Sequence, residues 1–175
     1  MAVPTDEKIV DGNGLKIAIV YSEYNDSIVN ELLRGAREGL SKCNVLEKDI
    51  LCTPVPGAFE IPLIIKRLCG DSVSVQESEI LDDNFDGKIV AHPNKIDAII
   101  ALGCVIRGET SHYDLICNEV TRAIVNISLE FNIPILHGIL TTEDFIQARE
   151  RSGEKMSNKG YECALSAVQM CSISS

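Results

Sequence analysis

Residues 108–112 combine groups that can bind an anion and transfer a proton. Gly108, Glu109 and Thr110 join an apolar run to a stretch of helical spacing, and His112 follows almost at once. Free backbone N–H groups and hydroxyls at such a junction can hold a phosphate against the positive end of a helix. An imidazole with an ordinary pKa of about 6.5 exchanges protons at neutral pH. The segment is not a known glycine-rich phosphate loop, so an ordinary helix cap and a structural histidine remain alternatives.

Three further segments end apolar runs in the same way. Ligands of open α/β sheets bind beyond the carboxyl ends of the strands, so these segments are candidates for the same site. Together they supply aromatic rings, hydroxyls, glycines and an imidazole, a mixture that suits a flat polar ring bound beside an anion. The four segments are residues 22–25, 56–60, 103–112 and 137–142.

The elements that must position these segments alternate along the chain. Short runs rich in Ile, Val and Leu predict buried strands, the second of them closed by Pro54 and Pro56. Helical spacing of apolar residues follows each strand, and two helices follow the last. The order βαβαβαβαα predicts a single three-layer αβα domain with a four-stranded parallel sheet. The predicted strands are residues 15–21, 49–55, 96–106 and 133–140.

Several helix boundaries carry recognisable residues. Asn25, Asp26 and Ser27 are candidate caps for the first helix, which continues to Leu40. The second helix is short, and Gly70 is a plausible end for it. The other predicted helices cover about 111–130, 143–151 and 158–171.

Residues 71–94 interrupt this alternation. The segment contains six acidic residues against one lysine and has little helical or strand period. A loop of this length inside a compact domain is uncommon and is usually either functional or mobile. We expect a solvated acidic surface insertion within one domain that spans residues 1–175, with a binding element as the alternative.

The charge of the chain restricts its partners. The formal net charge is −10, so the surface repels phosphate backbones and anionic membranes, and we expect neither nucleic acid nor membrane as a partner. No apolar run approaches the roughly 20 residues of a spanning helix. Residues 1–11 lack the basic start and apolar middle of a signal peptide, which predicts a cytoplasmic protein.

The seven cysteines form no C-x-x-C pair. Most of them lie inside apolar stretches, where a reduced cysteine behaves as a small hydrophobic residue. We therefore expect buried thiols, and neither disulfides nor a metal site.

Taken in order, the motifs resemble those of the lumazine synthase family, the 6,7-dimethyl-8-ribityllumazine synthases. VPGAFEIP at 55–62 is similar to the family's segment after its second strand. LGCVIRGETSHYD at 102–114 is similar to its phosphate turn and catalytic histidine. GILTTE at 138–143, with Arg151 and NKG at 158–160, resembles its C-terminal signature. The resemblance extends from about Leu15 to Met170, omits only the acidic segment, and implies a flavodoxin-like fold.

The resemblance implies a condensation late in riboflavin biosynthesis. Family members join 5-amino-6-(D-ribitylamino)uracil to 3,4-dihydroxy-2-butanone 4-phosphate and release the lumazine, inorganic phosphate and water. The substrate's own amine attacks the ketone and forms an imine, phosphate leaves, and the ring closes. This chemistry requires no enzyme nucleophile, metal or cofactor.

The resemblance also assigns roles to individual residues. Tyr24 stacks on the pyrimidine, and His112 carries protons. Gly108, Glu109 and Thr110 hold the phosphate, with Arg151 of a neighbouring subunit as its charged partner, since a guanidinium can bind phosphate bidentately. The remaining substrate-binding residues implied are Asn25, Ala58, Phe59, Glu60, Val105, Ile106, His137 and Lys159.

Two of these residues depart from the family pattern. Tyr24 stands where Phe or Trp is usual and can still stack, whereas His137 stands where the family usually has Phe or another apolar residue. That residue typically reaches the neighbouring subunit's site, so an imidazole there puts the packing of the pyrimidine ring in doubt. His137 also keeps open a non-catalytic relative that binds riboflavin or builds a shell. A flavin-carrying electron-transfer domain, which shares the alternation, is a further alternative.

The family builds its sites between the subunits of a homopentamer, and some members assemble twelve pentamers into a hollow icosahedral shell. The short connection between Arg151 and Lys159 favours the shell, which the acidic insertion could oppose. Riboflavin synthase is a possible protein partner of such an assembly.

Overall fold

The computed structural model describes residues 9–79, 95–153 and 158–173, with the backbone alone over 71–79. Strands and helices alternate through these residues in the predicted order. Two single 3₁₀ turns, Glu47–Asp49 and Ala58–Glu60, precede β2 and α2. The elements are β1 Ile17–Ser22, α1 Asp26–Lys42, β2 Ile50–Val55, α2 Ile61–Glu79, β3 Ala98–Ile106, α3 His112–Phe131, β4 Ile135–Thr142, α4 Phe145–Arg151 and α5 Lys159–Ile173.

The four strands form one parallel sheet in the order β2-β1-β3-β4. The predicted four-stranded parallel sheet is confirmed. The second strand ends at Val55, as predicted, directly before Pro56, and it includes Pro54, which lies opposite Tyr21. β2 lies at the edge of the sheet, where a residue without an N–H donor is tolerated because that side need not pair.

The sheet is buried on both faces because successive side chains of a strand point in opposite directions. Ile17 and Ile19 of β1 pack with α1, α4 and α5, whereas Ala18 and Val20 pack with α2 and α3. These two aliphatic cores and the sheet between them make the three layers predicted from the alternation.

The backbones of α1 and α5 approach one another closely. At Gly39 an added Cβ would lie 2.7 Å from the Cβ of Ala164, and at Gly160 it would meet the carbonyl oxygen of Leu32. Small residues on both helices therefore allow this contact. It holds the start of α5 against the middle of α1.

Helix α2 is longer than predicted. It continues through Gly70 to Glu79, so the prediction of a helix end at Gly70 was wrong. An internal glycine costs a helix only about 1 kcal/mol relative to alanine, which the preceding buried residues Ile61 and Ile65 outweigh. The first part of the predicted insertion is thus helical, and residues 80–94 lie outside the described part of the chain.

The seven cysteines, which all lie within the described residues, form no disulfide bond, and five of them are buried. Burial raises the pKa of Cys104 and of Cys163 to about 11, so both remain protonated at neutral pH. They pack as small apolar side chains, as the sequence predicted. Among the described helices, none has the length and apolar content needed to cross a membrane.

Candidate active site

A cleft of about 660 Å³ opens at the carboxyl ends of β1 and β3. From β1 the chain forms β2 on one side of that strand and then crosses over to form β3 on its other side. The gap between the ends of β1 and β3 is therefore the topological switch point, where open α/β sheets bind ligands. Most of the predicted site residues line the cleft. Its lining residues are Tyr24, Gly57, Ala58, Phe59, Glu60, Cys104, Val105, Ile106, Gly108, Thr110, His112, Tyr113, Leu115, Ile116 and Glu119.

One part of the cleft is aromatic. Tyr24 follows the end of β1, and Phe59 lies in the 3₁₀ turn after β2, where the buried Ala58 anchors it. Tyr24 and Phe59 are 71% and 62% exposed in the isolated subunit. Exposed rings beside a cavity are suited to cover a flat ligand, because stacking needs a free face.

Asn25 joins the two strands that flank the switch point. It adopts the left-handed conformation, with φ 59° and ψ 44°, which asparagine tolerates better than most residues. Its Nδ2 donates a hydrogen bond of 2.9 Å to the carbonyl oxygen of Cys104 at the end of β3. Asn25 occupies the N-cap position of α1, but its side chain does not cap that helix as predicted. The amide instead holds the end of β3 to the residues that follow β1.

The segment predicted to bind phosphate is exposed and leads directly into α3. Ser111 is the N-cap of α3 but makes no side-chain cap. Among the described residues, one side chain reaches a backbone amide of the first turn, and that contact is long, 3.5 Å from the amide of His112 to Thr110 Oγ1. By contrast, Asp144 caps α4 through a bond of 2.8 Å from the amide of Gln147. The start of α3 therefore keeps donor capacity and a partial positive charge facing solvent.

Gly108 is not required by the packing of the subunit. Its φ is not positive, and a Cβ added there would meet no atom within 4 Å. A glycine at such a position lets another group approach the backbone closely. That group would come from outside the described residues of the subunit.

His112 is the first residue of α3, and its exposed side chain lines the cleft. No described residue makes a hydrogen bond to its imidazole. The ring is therefore free to contact a bound molecule. It lies one helical turn before Ile116, which also lines the cleft.

An ion-pair cluster closes the base of the phosphate segment. Arg107 donates two hydrogen bonds to Asp114, of 3.0 and 2.9 Å, and its Nε lies 2.8 Å from Glu143 Oε2. Its guanidinium also stacks over Tyr113, 4.1 Å from the ring centroid. Because Arg107 precedes residues 108–111 and Asp114 follows them, the pair clasps the two ends of the turn. This pair was not among the predicted site residues, although two opposite charges flanking the turn are visible in the sequence.

The ion pairs of Arg107 also affect the protonation of Asp114. The hydrogen bonds from Arg107 lower the pKa of Asp114. A carboxyl whose pKa is lower in the folded state stabilises the fold above its unfolded pKa, and that stabilisation is lost as the pH falls through the lowered value. At neutral pH the ion pair between Arg107 and Asp114 is therefore intact. The single charge of Arg107 is then matched by two carboxylates.

The cleft itself is acidic. No lysine or arginine of the described chain lines it, whereas Glu60 and Glu119 do. A phosphate in the cleft would meet amide donors and hydroxyls but no uncompensated cation from the same subunit. Tight binding of such an anion therefore needs a cation from elsewhere.

Five predicted site residues do not line this cleft. His137 lies in β4, where its Nε2 is 3.2 Å from Thr121 Oγ1, and burial lowers its pKa so that the ring is neutral at neutral pH. It borders a small pocket that shares Ala58 and Val105 with the cleft. Asn25 bonds behind the cleft, Glu109 projects from the exposed turn, and Arg151 and Lys159 lie on α4 and α5.

Arg151 and Lys159 are two cations on the helices that follow β4. Arg151 is the last residue of α4 and Lys159 the first of α5, and both helices pack on the face of the sheet opposite to α2 and α3. Lys159 pairs with Glu162 at 3.0 Å, while Arg151 makes no ion pair with another described residue. Arg151 is exposed and available to a molecule outside the subunit.

A comparison with known protein families agrees with this arrangement. The sequence model described as 6,7-dimethyl-8-ribityllumazine synthase matches residues 14–175, which is nearly the whole chain. The match includes every segment that lines the cleft and both helices that follow β4. The chain therefore belongs to the lumazine synthase family, whose members act in riboflavin biosynthesis.

Proposed function

We propose that this protein condenses 5-amino-6-(D-ribitylamino)uracil with 3,4-dihydroxy-2-butanone 4-phosphate to form 6,7-dimethyl-8-ribityllumazine. One observation carries the proposal. A single cleft at the switch point combines the exposed rings of Tyr24 and Phe59 with the uncapped start of α3, beside Thr110 and His112. A flat heterocycle and a phosphate would thus bind side by side, as this reaction requires.

The pyrimidine occupies the aromatic part of the cleft in this proposal. Tyr24 stacks on the ring, and Ala58, Phe59 and Glu60 contact the ring and the ribityl chain. Backbone groups near Val105 and Ile106 complete its binding, because the end of an exposed parallel strand offers donors and acceptors. Asn25 retains one N–H and its carbonyl oxygen for the ligand, since its other donor is bonded to Cys104.

The phosphate binds at the start of α3. Gly108 and Glu109 contribute backbone N–H groups, and Thr110 adds a hydroxyl. The carboxylate of Glu109 would repel a phosphate, so its contribution is through the main chain. The acidic cleft lacks a cation of its own, and we assign that cation to Arg151 of a neighbouring subunit, with Lys159 close to it.

The chemistry then depends mainly on orientation. The 5-amino group of the pyrimidine attacks the ketone carbon, and water leaves as the imine forms. Phosphate then departs by elimination, and the resulting enol becomes a ketone. The ribitylamino nitrogen attacks that ketone, and a second water leaves as the ring closes. His112 moves protons between these groups from the phosphate side of the cleft. The amino group comes from the substrate, so no side chain of the protein forms a covalent bond.

The direct test is to incubate the purified protein with both substrates and follow lumazine fluorescence and phosphate release together. Both signals should rise in equal amounts, and omission of either substrate should abolish them. A protein that binds riboflavin but forms no lumazine above the uncatalysed rate would refute the enzyme assignment. That result would favour the non-catalytic relative instead.

Replacement of His112 by alanine should lower turnover by roughly tenfold or more while leaving measurable activity. Positioned acid–base groups contribute about 10²–10⁴-fold, but here orientation by the cleft would supply part of the catalysis. Turnover should be measured from about pH 6 to about pH 8, the range in which histidine commonly acts as an acid or base in proteins. The matched control is Asn118→Ala, an exposed position of α3 that does not line the cleft. Wild-type turnover of the His112 variant across this range would remove His112 from the mechanism.

A further inference from the structure

Asn158 is a buried polar side chain at the junction of three helices. It is 2% exposed and immediately precedes α5. Its Nδ2 lies 3.0 Å from the carbonyl oxygen of Ser152 and 3.2 Å from that of Gly153, the two residues that follow α4. The same nitrogen lies 2.9 Å from the carbonyl oxygen of Glu31 in α1.

The other end of the amide caps a helix. Asn158 Oδ1 accepts a hydrogen bond of 3.1 Å from the amide of Tyr161, in the first turn of α5. One side chain therefore satisfies the start of α5, the residues after α4 and a carbonyl of α1. Gly35 of α1 leaves the space that this side chain occupies, since an added Cβ there would overlap the Asn158 amide.

The hydrogen bonds of Asn158 fix the backbone next to Arg151 and next to Lys159. These two cations, which we assigned to the phosphate, are called the phosphate clamp below. Arg151 is adjacent to Ser152, whose carbonyl receives one of the bonds, and Lys159 is adjacent to Asn158 itself. The charge of Arg151 acts on Lys159, which places both cations in one electrostatic environment. A side chain that only filled space between α1 and α5 would not need to tie the end of α4 as well.

We propose that Asn158 is a positioning residue that sets the separation and direction of Arg151 and Lys159, and thereby the affinity of the site for the phosphate group. This rests on the proposed function, in which Arg151 holds the phosphate of the butanone. Asn158 touches no substrate. It acts through the backbone of Ser152 and through the start of α5.

The test compares Asn158→Ser with Gly39→Ala. A serine hydroxyl can still cap α5, but it lacks the donors that reach Ser152 and Glu31. Gly39→Ala disturbs the same α1–α5 contact, 2.7 Å from the Cβ of Ala164, without touching Asn158. For each variant one measures the melting temperature, the KM of each substrate and the inhibition constant of inorganic phosphate.

Asn158→Ser should raise the KM of the butanone phosphate and the inhibition constant of inorganic phosphate by about tenfold, because small misplacements of binding groups have effects of this size or larger. The KM of the pyrimidine should change by less than about twofold, within the ordinary scatter of remote substitutions. Gly39→Ala should lower the melting temperature without this selectivity. A variant that only melts earlier, or that weakens both substrates equally, would overturn the positioning role.

A second variant guards against a failure of Asn158→Ser to fold. Gly35→Ala displaces the Asn158 amide from the α1 side and leaves its groups intact, so it should show the same selective loss of phosphate affinity. If neither variant shows it, the proposal is wrong. Arg151→Ala in the same series tests the phosphate clamp separately from the role of Asn158. Unchanged phosphate affinity in Arg151→Ala refutes the clamp itself, whereas weakened affinity there with normal affinity in Asn158→Ser refutes only the role of Asn158.

Discussion

Arg151→Ala should raise the KM of the butanone phosphate by between about thirtyfold and several thousandfold, the equivalent of about 2–5 kcal/mol for removing one partner of a desolvated charge pair. The affinity for the pyrimidine should change much less. The reason lies in the charge of the cleft, whose described lining includes Glu60 and Glu119 but neither lysine nor arginine. Arg107 cannot substitute, because Asp114 and Glu143 already neutralise it.

Arg149→Ala is the matched control for this experiment. Arg149 is exposed and lies in the same last turn of α4, so it carries the same charge on the same helix. Its loss should leave both KM values near those of the wild type. Arg151→Lys adds a second comparison, since lysine keeps the charge but loses the planar pair of donors. Equal weakening of both substrates in Arg151→Ala would instead indicate a structural role.

The three-layer fold could be predicted because its pattern is local. Each strand is a short run of Ile, Val, Leu and Ala, and each helix repeats apolar residues at a period that the sequence shows directly. The local pattern is insufficient where the neighbours of a strand or helix decide the outcome. Pro54 is compatible with β2 only because β2 is an edge strand, and Gly70 lies inside α2 because the burial of that helix outweighs its weak propensity.

The candidate cleft could also be located from the sequence, since the carboxyl ends of parallel strands must lie on one side of the sheet. The details that shape the cleft could not. The bond from Asn25 to Cys104 joins residues 79 positions apart, and the bond from Asn158 to Glu31 joins residues 127 positions apart. Hydrogen bonds of this kind leave no period in the sequence. They depend on how the helices and strands pack.

The protein should be at least a pentamer in solution, and its activity should fall when dilution or substitution separates the subunits. Large apolar side chains remain exposed on the isolated subunit, including Leu63 of α2, Leu129 of α3 and Ile146 of α4. A ring of identical subunits repeats one heterologous contact and would cover such surfaces. Light scattering and activity should be measured on the same dilution series. A fully active monomer would contradict the shared site and the assignment of Arg151.

Mixing two damaged variants tests the shared site at the level of single residues. If His112 and Arg151 of one site come from neighbouring subunits, oligomers formed from equal amounts of His112→Ala and Arg151→Ala chains should recover about one quarter of the wild-type sites. This follows because each interface receives an intact residue from each side with a probability of about one half squared. The activity should be measured near the wild-type KM of the butanone phosphate, where both variants alone are slow.

The matched mixture combines wild-type chains with chains that carry both substitutions, and it should also retain about one quarter of the sites. If both residues served one site within a single subunit, the first mixture would recover no sites and the second would retain about half. The two mixtures therefore separate the arrangements once the activity of each variant alone is subtracted.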